Sequence, residues 1–218
     1  MNSYKTIENL VGRSERLFIK QNKEWFKVLT SFETKNKYTI LDSSKNKIGY
    51  ITENPQGFIS LIQRFFLRSH RPLELQVLNL ERVEILRLSR NFFWFFSNLQ
   101  VHYNGKVYGS IYRRYSLFYK NYELKDKQKH TAFYIKSIFW KLWSFSVKTG
   151  QDQEVALITK KSHEQLIESF TDTYLIDFKS KLTLNEKILI FSSGISIDFD
   201  YFENNRGSSS LLNFLGSR

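Results

Sequence analysis

Apolar and polar residues alternate in short segments through most of the chain, a pattern typical of half-buried β-strands. Polar turns separate the segments, and one of them is Asn104-Gly105, a dipeptide favoured in two-residue hairpins because both residues tolerate positive φ. Successive hairpins favour an antiparallel meander that closes on itself. Two hairpins contain similar segments, Lys47–Ile51 and Lys106–Ile111, which suggests internal duplication. The predicted strands are Tyr38–Leu41, Ile48–Ile51, Leu73–Val77, Val83–Leu88, Leu99–Tyr103, Lys106–Tyr112, Thr131–Ser137, Trp143–Lys148 and Glu154–Thr159.

The last apolar run, Leu184–Phe202, fits two structures. At helical spacing its apolar residues occur on more than one face, and such a helix must be enclosed by protein or lipid. Its uncharged middle, residues 188–197, spans about 15 Å as a helix against about 30 Å for a hydrocarbon core, so enclosure by protein is favoured. From Ile195 to Tyr201 the residues alternate strictly, which fits a strand equally well. The main buried stripe predicted for the helix is Ile188, Phe191, Ile195, Phe199 and Phe202.

Composition indicates one folded domain. The chain has 218 residues, of which 41% are apolar and 17% aromatic, with only nine glycines and two prolines. It contains no cysteine, which excludes disulfides and thiolate metal sites. The first residues lack the apolar core of a signal peptide, and no run approaches the roughly 18 apolar residues of a membrane-spanning helix. We therefore expect a cytoplasmic protein.

The net charge restricts the binding partners to be considered, but it says little about catalysis. A formal net charge of +12 favours nucleic acid or the anionic face of a membrane, unless it serves solubility alone. The four histidines are scattered, and neither a phosphate-binding glycine loop nor a nucleophile elbow occurs, so we expect no enzyme. Asp198 is the polar exception within the apolar run. In an interior it must accept hydrogen bonds or be protonated, and we interpret it as structural.

Four motifs resemble those of a known family: Arg71-Pro72-Leu73, Tyr103–Gly109, Phe170-Thr-Asp172 and Ile197-Asp-Phe-Asp-Tyr-Phe-Glu203. Over residues 16–203 the chain resembles the phospholipid scramblases, a branch of the tubby-like group that includes the LURP-one-related proteins. The resemblance implies a mainly β fold, a closed antiparallel barrel of about twelve strands around a buried C-terminal hydrophobic helix. It therefore favours a helix for Leu184–Phe202. Residues 1–15 are then a flexible lead-in and residues 204–218 a mobile tail.

The chain departs from the family at the acidic stretch after Phe-Thr-Asp, which is proposed to bind calcium in scramblases. Here Asp172 and Asp177 are followed by Lys179 and Lys181. Calcium takes about six to eight oxygen ligands, several of them carboxylates. We therefore expect no tight calcium site and no other cofactor, with Asp172 and Asp177 as weak residual metal candidates.

A second departure concerns a cysteine cluster of animal scramblases, palmitoylated in some. In its place this chain has five consecutive aromatic residues within Asn91–Ser97. Alternate residues of a strand point to opposite faces, so all five cannot face one core. Either they form a fully buried layer, or some form an exposed wedge at a membrane or partner. The wedge hypothesis assigns lipid contact to Phe92, Phe93, Trp94, Phe95 and Phe96.

Two other aromatic and basic segments allow the same pair of interpretations. Phe58–Arg71 has apolar residues at helical spacing, and as a helix it either packs on the barrel or lies on a membrane surface. In the second case Arg64, Arg68 and Arg71 contact lipid headgroups. Ile138–Phe145 is equally compatible with core and wedge.

Three hypotheses for function follow. The first is a scramblase-like protein that binds anionic phospholipid membranes peripherally at the inner face, with transbilayer phospholipid movement implied by the resemblance alone. The second is a nucleic-acid-associated or regulatory tubby-like module without lipid transport. The third is a ligand-binding barrel with an internal cavity. No small-molecule cofactor is expected, and nothing in the sequence indicates an oligomeric state.

Overall fold

A computed structural model of the chain describes residues 7–22, 36–53, 72–94, 96–138, 143–160 and 173–201. These ranges contain twelve strands, one α-helix, α1 (Leu184–Tyr201), and a short π-helical turn, Glu8–Gly12. The strands are β1 (Arg16–Gln21), β2 (Asn36–Leu41), β3 (Lys47–Glu53), β4 (Leu73–Leu78), β5 (Glu84–Arg90), β6 (Asn98–Tyr103), β7 (Lys106–Arg114), β8 (Tyr119–Asp126), β9 (Thr131–Ile138), β10 (Ser144–Lys148), β11 (Glu154–Lys160) and β12 (Thr173–Phe178).

The strands pair antiparallel in chain order and close into a barrel. Closure occurs at β1, where Leu17 lies opposite Ile176 of β12 and Phe18 lies opposite Leu41 of β2. The prediction of a closed antiparallel barrel of about twelve strands is confirmed. Closure also removes the free edges of the sheet, so no strand is left to pair with the last apolar segment.

α1 runs through this barrel. Every residue from Lys187 to Asp200 is buried, and Ile188, Phe191, Ile195 and Phe199 are at most 2% exposed. The helix begins with a capping box, in which the Glu186 carboxylate accepts hydrogen bonds from the backbone N–H and the hydroxyl of Thr183, both at 2.8 Å. The helical interpretation of the run is therefore confirmed as far as Tyr201, and the strand alternative is wrong. Phe202 lies outside the described residues.

The helix inside the barrel argues against the hypothesis of a ligand-binding barrel with an internal cavity. Within the described residues, α1 fills the space that an internal ligand cavity would need. The barrel wall packs against the helix instead, since Leu189 of α1 lies close to the backbone at Gly109 of β7. The interior of this barrel is thus a core and not a ligand chamber.

Residues 7–15 differ from the flexible lead-in expected for residues 1–15. Ile7, Leu10 and Val11 are buried in the main core, and the turn Glu8–Gly12 packs against α1. The Lys187 ammonium donates hydrogen bonds to the backbone carbonyls of Gly12 and Ser14, at 2.7 and 2.8 Å. A few apolar residues, spaced as one helical turn, thus cover the N-terminal end of the enclosed helix.

The two ends of the barrel are distinct. Because consecutive strands are antiparallel, their connections alternate between ends. The upper rim is the end formed by residues 91–97 and 115–118, by the ends of β9 and β11 and by the C-terminus of α1. The lower rim is the end formed by the turns at residues 42–46, 79–83, 104–105, 127–130 and 149–153.

Three strands are not among those predicted, for a physical reason in each case. β8 alternates, but its inward-facing residues include Lys120, so its inner face is not uniformly apolar. β1 has three consecutive buried residues at 17–19, and β12 is apolar at adjacent positions. Each of the nine strands predicted by alternation corresponds to a strand of the structure, and only Val83 and Trp143 lie one residue before it.

The similar segments Lys47–Ile51 and Lys106–Ile111 share a glycine where the barrel wall approaches the interior. A Cβ on Gly109 would lie 2.5 Å from Leu189 Cδ2 of α1 and 2.6 Å from the backbone carbonyl oxygen of Lys125. A Cβ on Gly49 would lie 2.6 Å from the carbonyl oxygen of Leu78 and 2.8 Å from Leu10 Cδ1. Both glycines therefore serve close packing of the wall on its contents.

We predict that Gly109→Ala destabilises the barrel by about 1–3 kcal/mol, because the added methyl group meets a backbone carbonyl that cannot move aside. Urea denaturation measures the effect. Gly150→Ala is the matched control, since a Cβ at that position has open space around it. Equal free energies of unfolding for the two variants would contradict the close approach of β7 to α1.

Candidate membrane-contact site

The aromatic loop of residues 91–97 at the upper rim is partly buried and partly exposed, so the buried-layer and the exposed-wedge interpretations each hold for some of its residues. Trp94 is 73% exposed, Phe96 is 60% exposed and Phe92 is also exposed, whereas Phe93 is only 8% exposed. Phe95 lies outside the described residues. One aromatic side chain thus belongs to the core, and at least three point to solvent.

The buried part of the loop holds the exposed part in place. The ring of Phe93 lies 4.9 Å from the guanidinium carbon of Arg90, and Arg90 Nη1 donates a hydrogen bond of 3.4 Å to Ser97 Oγ. The backbone N–H of Arg113 donates to the carbonyl of Ser97 at 2.9 Å. Phe92 and Trp94 pack edge to face with their ring centroids 5.0 Å apart. The loop is therefore fixed at both ends, and the two outward rings of Phe92 and Trp94 pack on each other.

Arg90 also belongs to a buried ionic cluster at the C-terminal end of α1. Its Nη1 lies 2.7 Å from Asp200 Oδ1, and both side chains are almost completely buried. The Tyr122 hydroxyl donates to the other oxygen of the same carboxylate at 2.9 Å. A buried carboxylate is stable only with such donors around it. The aromatic loop and the end of the helix thus share one cation.

Asp198 has a separate set of partners. Its two oxygens accept hydrogen bonds from the hydroxyls of Tyr38 and Tyr174, and Lys160 Nζ lies 3.9 Å from Oδ1. These partners belong to β2, β11 and β12, on the opposite side of the ring from β5 and β8. Residues two apart on a helix point in different directions, so Asp198 and Asp200 connect the end of α1 to two opposite walls.

The position of the two carboxylates makes their partners necessary. A helix C-terminus carries partial negative charge, so aspartates in the last turn are unfavourable there. The cations Arg90 and Lys160 offset both the carboxylates and the helix dipole. The structural interpretation of Asp198 is consistent with this arrangement.

A third basic side chain, Lys120, is buried near the same rim. Its Nζ lies 5.1 Å above the ring of Phe145 and the side chain faces the interior. Burial lowers the pKa of Lys120 from 10.5 to about 8, and the nearby charge of Arg113 acts in the same direction.

The structure places the other predicted site residues apart from the loop or does not describe them. Asp177 points outward from β12 and forms an ion pair with Arg16 at 2.9 Å. Asp172, Arg64, Arg68 and Arg71 lie outside the described residues. Among the residues that the structure describes, no cluster of three or more His, Asp or Glu side chains is suited to a metal ion.

The ionic cluster was missed from sequence except for Asp198. Arg90 follows Leu86 and Leu88 at the same parity in β5, and Lys120 precedes Tyr122 and Leu124 in β8. Their strand parity therefore marks them as inward-facing. Combined with two aspartates in an apolar helix, that parity was the available signal for buried charge pairs.

Comparison with known proteins adds the following. A sequence model described as Scramblase matches residues 1–204. A phospholipid scramblase family protein of Schizosaccharomyces pombe is 24% identical, and the aligned region covers 89% of this chain and 61% of that protein. The chain therefore spans less than two thirds of this relative. The altered inheritance rate of mitochondria protein 25 of Saccharomyces cerevisiae is 26% identical, over 96% of this chain and 77% of that protein.

A solved structure supports the fold alone. The X-ray structure of a protein from Arabidopsis thaliana matches with a TM-score of 0.50 and 12% identity, covering 88% of this chain and 93% of that chain. In the part of the chain described here, no helix has the length and apolar content needed to cross a membrane.

We predict that Arg90→Met destabilises the fold by about 3–5 kcal/mol, because it leaves the carboxylate of Asp200 buried without its cation. Thermal or urea denaturation measures the loss. Arg16→Met is the control: it breaks the exposed pair with Asp177, which water solvates, and should leave stability nearly unchanged. Similar losses in the two variants would show that burial does not distinguish the two pairs.

We predict that Lys120 makes the protein more stable as the pH rises from about 8 to about 10.5. In that range the unfolded chain keeps a proton on Lys120 that the folded chain has released. The free energy of unfolding therefore increases with pH, by at most about 3 kcal/mol. The measurement is the free energy of unfolding of the wild type minus that of Lys120→Met across this range. The contributions of titrating groups that both proteins share cancel in this subtraction. Parallel pH profiles of the free energy of unfolding for the two proteins would contradict the lowered pKa.

Proposed function

The chain belongs to the scramblase family, and on that premise we propose that it binds anionic phospholipid membranes peripherally through the aromatic loop of residues 91–97. The observation that carries the proposal is the exposure of Trp94 and Phe96 in a loop that buried contacts of Phe93 and Ser97 hold in place. An exposed aromatic surface with this support is typical of an interaction site.

The chemistry of the loop suits the interface of a bilayer. Residues 91–97 contain no charged side chain, and the exposed ones among those described are Asn91, Phe92, Trp94 and Phe96. Trp prefers the headgroup boundary, and Phe the adjoining apolar layer. Transfer of one such side chain from water into an apolar environment is favourable by roughly 1.5–3 kcal/mol. Two or three of them provide reversible binding without a membrane-spanning segment.

Cations near the loop supply the preference for anionic lipid. Arg113 is bonded to the loop backbone, Arg114 is exposed and pairs with Glu123, and Lys136 is exposed on β9 near the same rim. A Lys or Arg near an anionic surface contributes about 1 kcal/mol, an effect that salt weakens. The net charge of +12 acts in the same direction at longer range.

The proposal places phospholipid at the upper rim and not in the lumen, which α1 occupies along its described length. Transbilayer movement of phospholipid is the activity that the family name denotes, and it would have to begin with this contact. The proposal includes no catalytic residue and no calcium ion, since Asp177 is already paired with Arg16. The membrane face proposed is the inner one, where anionic lipid is concentrated.

Binding to nucleic acid is the alternative in a different class. It draws on the net charge alone, whereas the charge-free aromatic loop is better matched to a bilayer than to a phosphate backbone. Stacking of Trp94 on an exposed base is the one contact that would favour it.

We predict that the full chain floats with vesicles of phosphatidylcholine and phosphatidylserine, binds neutral phosphatidylcholine vesicles less, and loses binding as salt is added. Chelation of calcium should leave binding unchanged. A salt-sensitive shift of duplex DNA in the absence of vesicle binding would instead support the nucleic-acid alternative.

We further predict that Trp94→Ser combined with Phe96→Ser weakens vesicle binding about tenfold or more, because the apolar contact is lost. Leu80→Ser with Val83→Ser is the matched control, since those side chains are 50% and 57% exposed at the lower rim. Equal weakening in both double variants would mean that loss of exposed apolar surface in general, and not this loop, reduces binding.

A further inference from the structure

Large exposed apolar side chains are concentrated at one end of the molecule. Thirteen are exposed among the described residues, and nine of these lie at the upper rim. Three lie at the lower rim and one, Tyr134, lies on the wall. The nine are Phe92, Trp94, Phe96, Tyr115, Leu117, Phe118, Tyr119, Ile138 and Trp143.

The exposed apolar side chains of the two rims differ in residue type as well as in number. Seven of the nine upper-rim side chains are aromatic, while the three at the lower rim, Leu80, Val83 and Val107, are small aliphatic residues. Four of the five lower-rim turns contain charged residues, as the turn at residues 127–130 does, and the fifth is Asn104-Gly105. Scattered single aliphatic residues are ordinary on a protein surface, but a rim of aromatics is not.

Residues 115–118 form a second loop of the same character as residues 91–97. The loop contains no charged side chain, and Leu117 and Phe118 are 69% and 63% exposed. The backbone N–H of Tyr119 donates a hydrogen bond to Ser116 Oγ at 3.2 Å, which closes a turn. Tyr115 is exposed beside it.

A backbone hydrogen bond connects the two loops. The strand that leads into residues 115–118 is β7, and its Arg113 N–H is bonded to the Ser97 carbonyl of the first loop. Trp143 continues the arc, because its carbonyl accepts a hydrogen bond of 2.8 Å from the backbone N–H of Lys160 at the upper end of β11. In the strand order, the exposed aromatics therefore occupy one arc of the upper rim, from β5 to β10.

We propose that residues 115–118 are a second membrane-insertion loop and that the protein stands on the bilayer with its barrel axis upright and the C-terminus of α1 facing the lipid. The inference rests on the proposed function and extends it to a docking geometry. An arc of separate charge-free loops around one rim fits a flat apolar surface. Lys136 is exposed on β9 near this rim, and in the proposed orientation it lies within reach of anionic headgroups.

Site-directed spin labelling tests the geometry directly, because the chain has no cysteine of its own. Single substitutions Trp94→Cys, Leu117→Cys and Leu80→Cys carry the label, one in each loop and one at the lower rim. The full chain is mixed with phosphatidylcholine–phosphatidylserine vesicles, and the accessibility of each label to oxygen and to a polar nickel reagent reports its depth. We expect the labels at 94 and 117 to enter the bilayer and the label at 80 to stay in water.

The outcomes separate the two proposals. A label that enters at 94 and stays in water at 117 overturns the second loop while the proposed function stands. Labels that stay in water at both positions overturn both. Immobilisation of the label at 117 before vesicles are added would assign the loop to contact between copies of the chain, and would likewise overturn the inference.

Binding strength gives an independent measurement. Leu117→Ser with Phe118→Ser should weaken binding to the same vesicles about tenfold, equivalent to about 1.4 kcal/mol. The lower-rim double variant Leu80→Ser with Val83→Ser should bind as the wild type does. Circular dichroism and thermal unfolding confirm that each variant is folded, and wild-type binding by a folded Leu117→Ser, Phe118→Ser variant would overturn the proposal.

Discussion

Enclosure of an apolar helix is the constraint on which the rest of the structure depends. α1 has no polar face over most of its length, so it is stable only if the surrounding wall is complete. A closed barrel meets this demand and at the same time leaves no unpaired strand edge. The glycines that let the wall approach the helix, and the N-terminal turn that covers its lower end, follow from the same requirement.

The same enclosure explains the charges in the interior. Asp198 and Asp200 stand in the last turns of a helix that has no access to water, so each needs donors from the wall. Tyrosine hydroxyls, Arg90 and Lys160 supply them from opposite sides and fix the end of α1 in the mouth of the barrel. Arg90 extends this rigidity outward, since it also contacts Phe93 and Ser97 of the aromatic loop. An internal electrostatic requirement thereby orients an external surface.

Alternation and turn residues predicted nine strands in an antiparallel meander that closes on itself, whereas the family resemblance supplied the twelve-strand barrel around a C-terminal helix. Periodicity alone could not choose between helix and strand for Ile195–Tyr201, because both periods fit a short segment. The resemblance favoured the helix, and closure of the barrel, a long-range property, explains it. Sequence reasoning could not sort Phe92–Phe96 into core and surface either. Phe93 is the aromatic that contacts the buried Arg90, and a loop without regular alternation does not show in advance which ring makes that contact. The sequence did not predict a role for residues 115–118, because Tyr-Ser-Leu-Phe matches no motif and only the strand topology brings it beside the other loop.

Hydrogen exchange of the full chain, with and without vesicles containing phosphatidylserine, tests the central claim most directly. The claim is that a rigid, helix-filled barrel meets the bilayer with its upper rim. Exchange should slow at residues 91–97 and 115–118, stay unchanged at the turns 79–83 and 127–130, and remain slow throughout α1 in both states. Faster exchange in α1 on vesicles, or protection confined to the lower rim, would contradict the account.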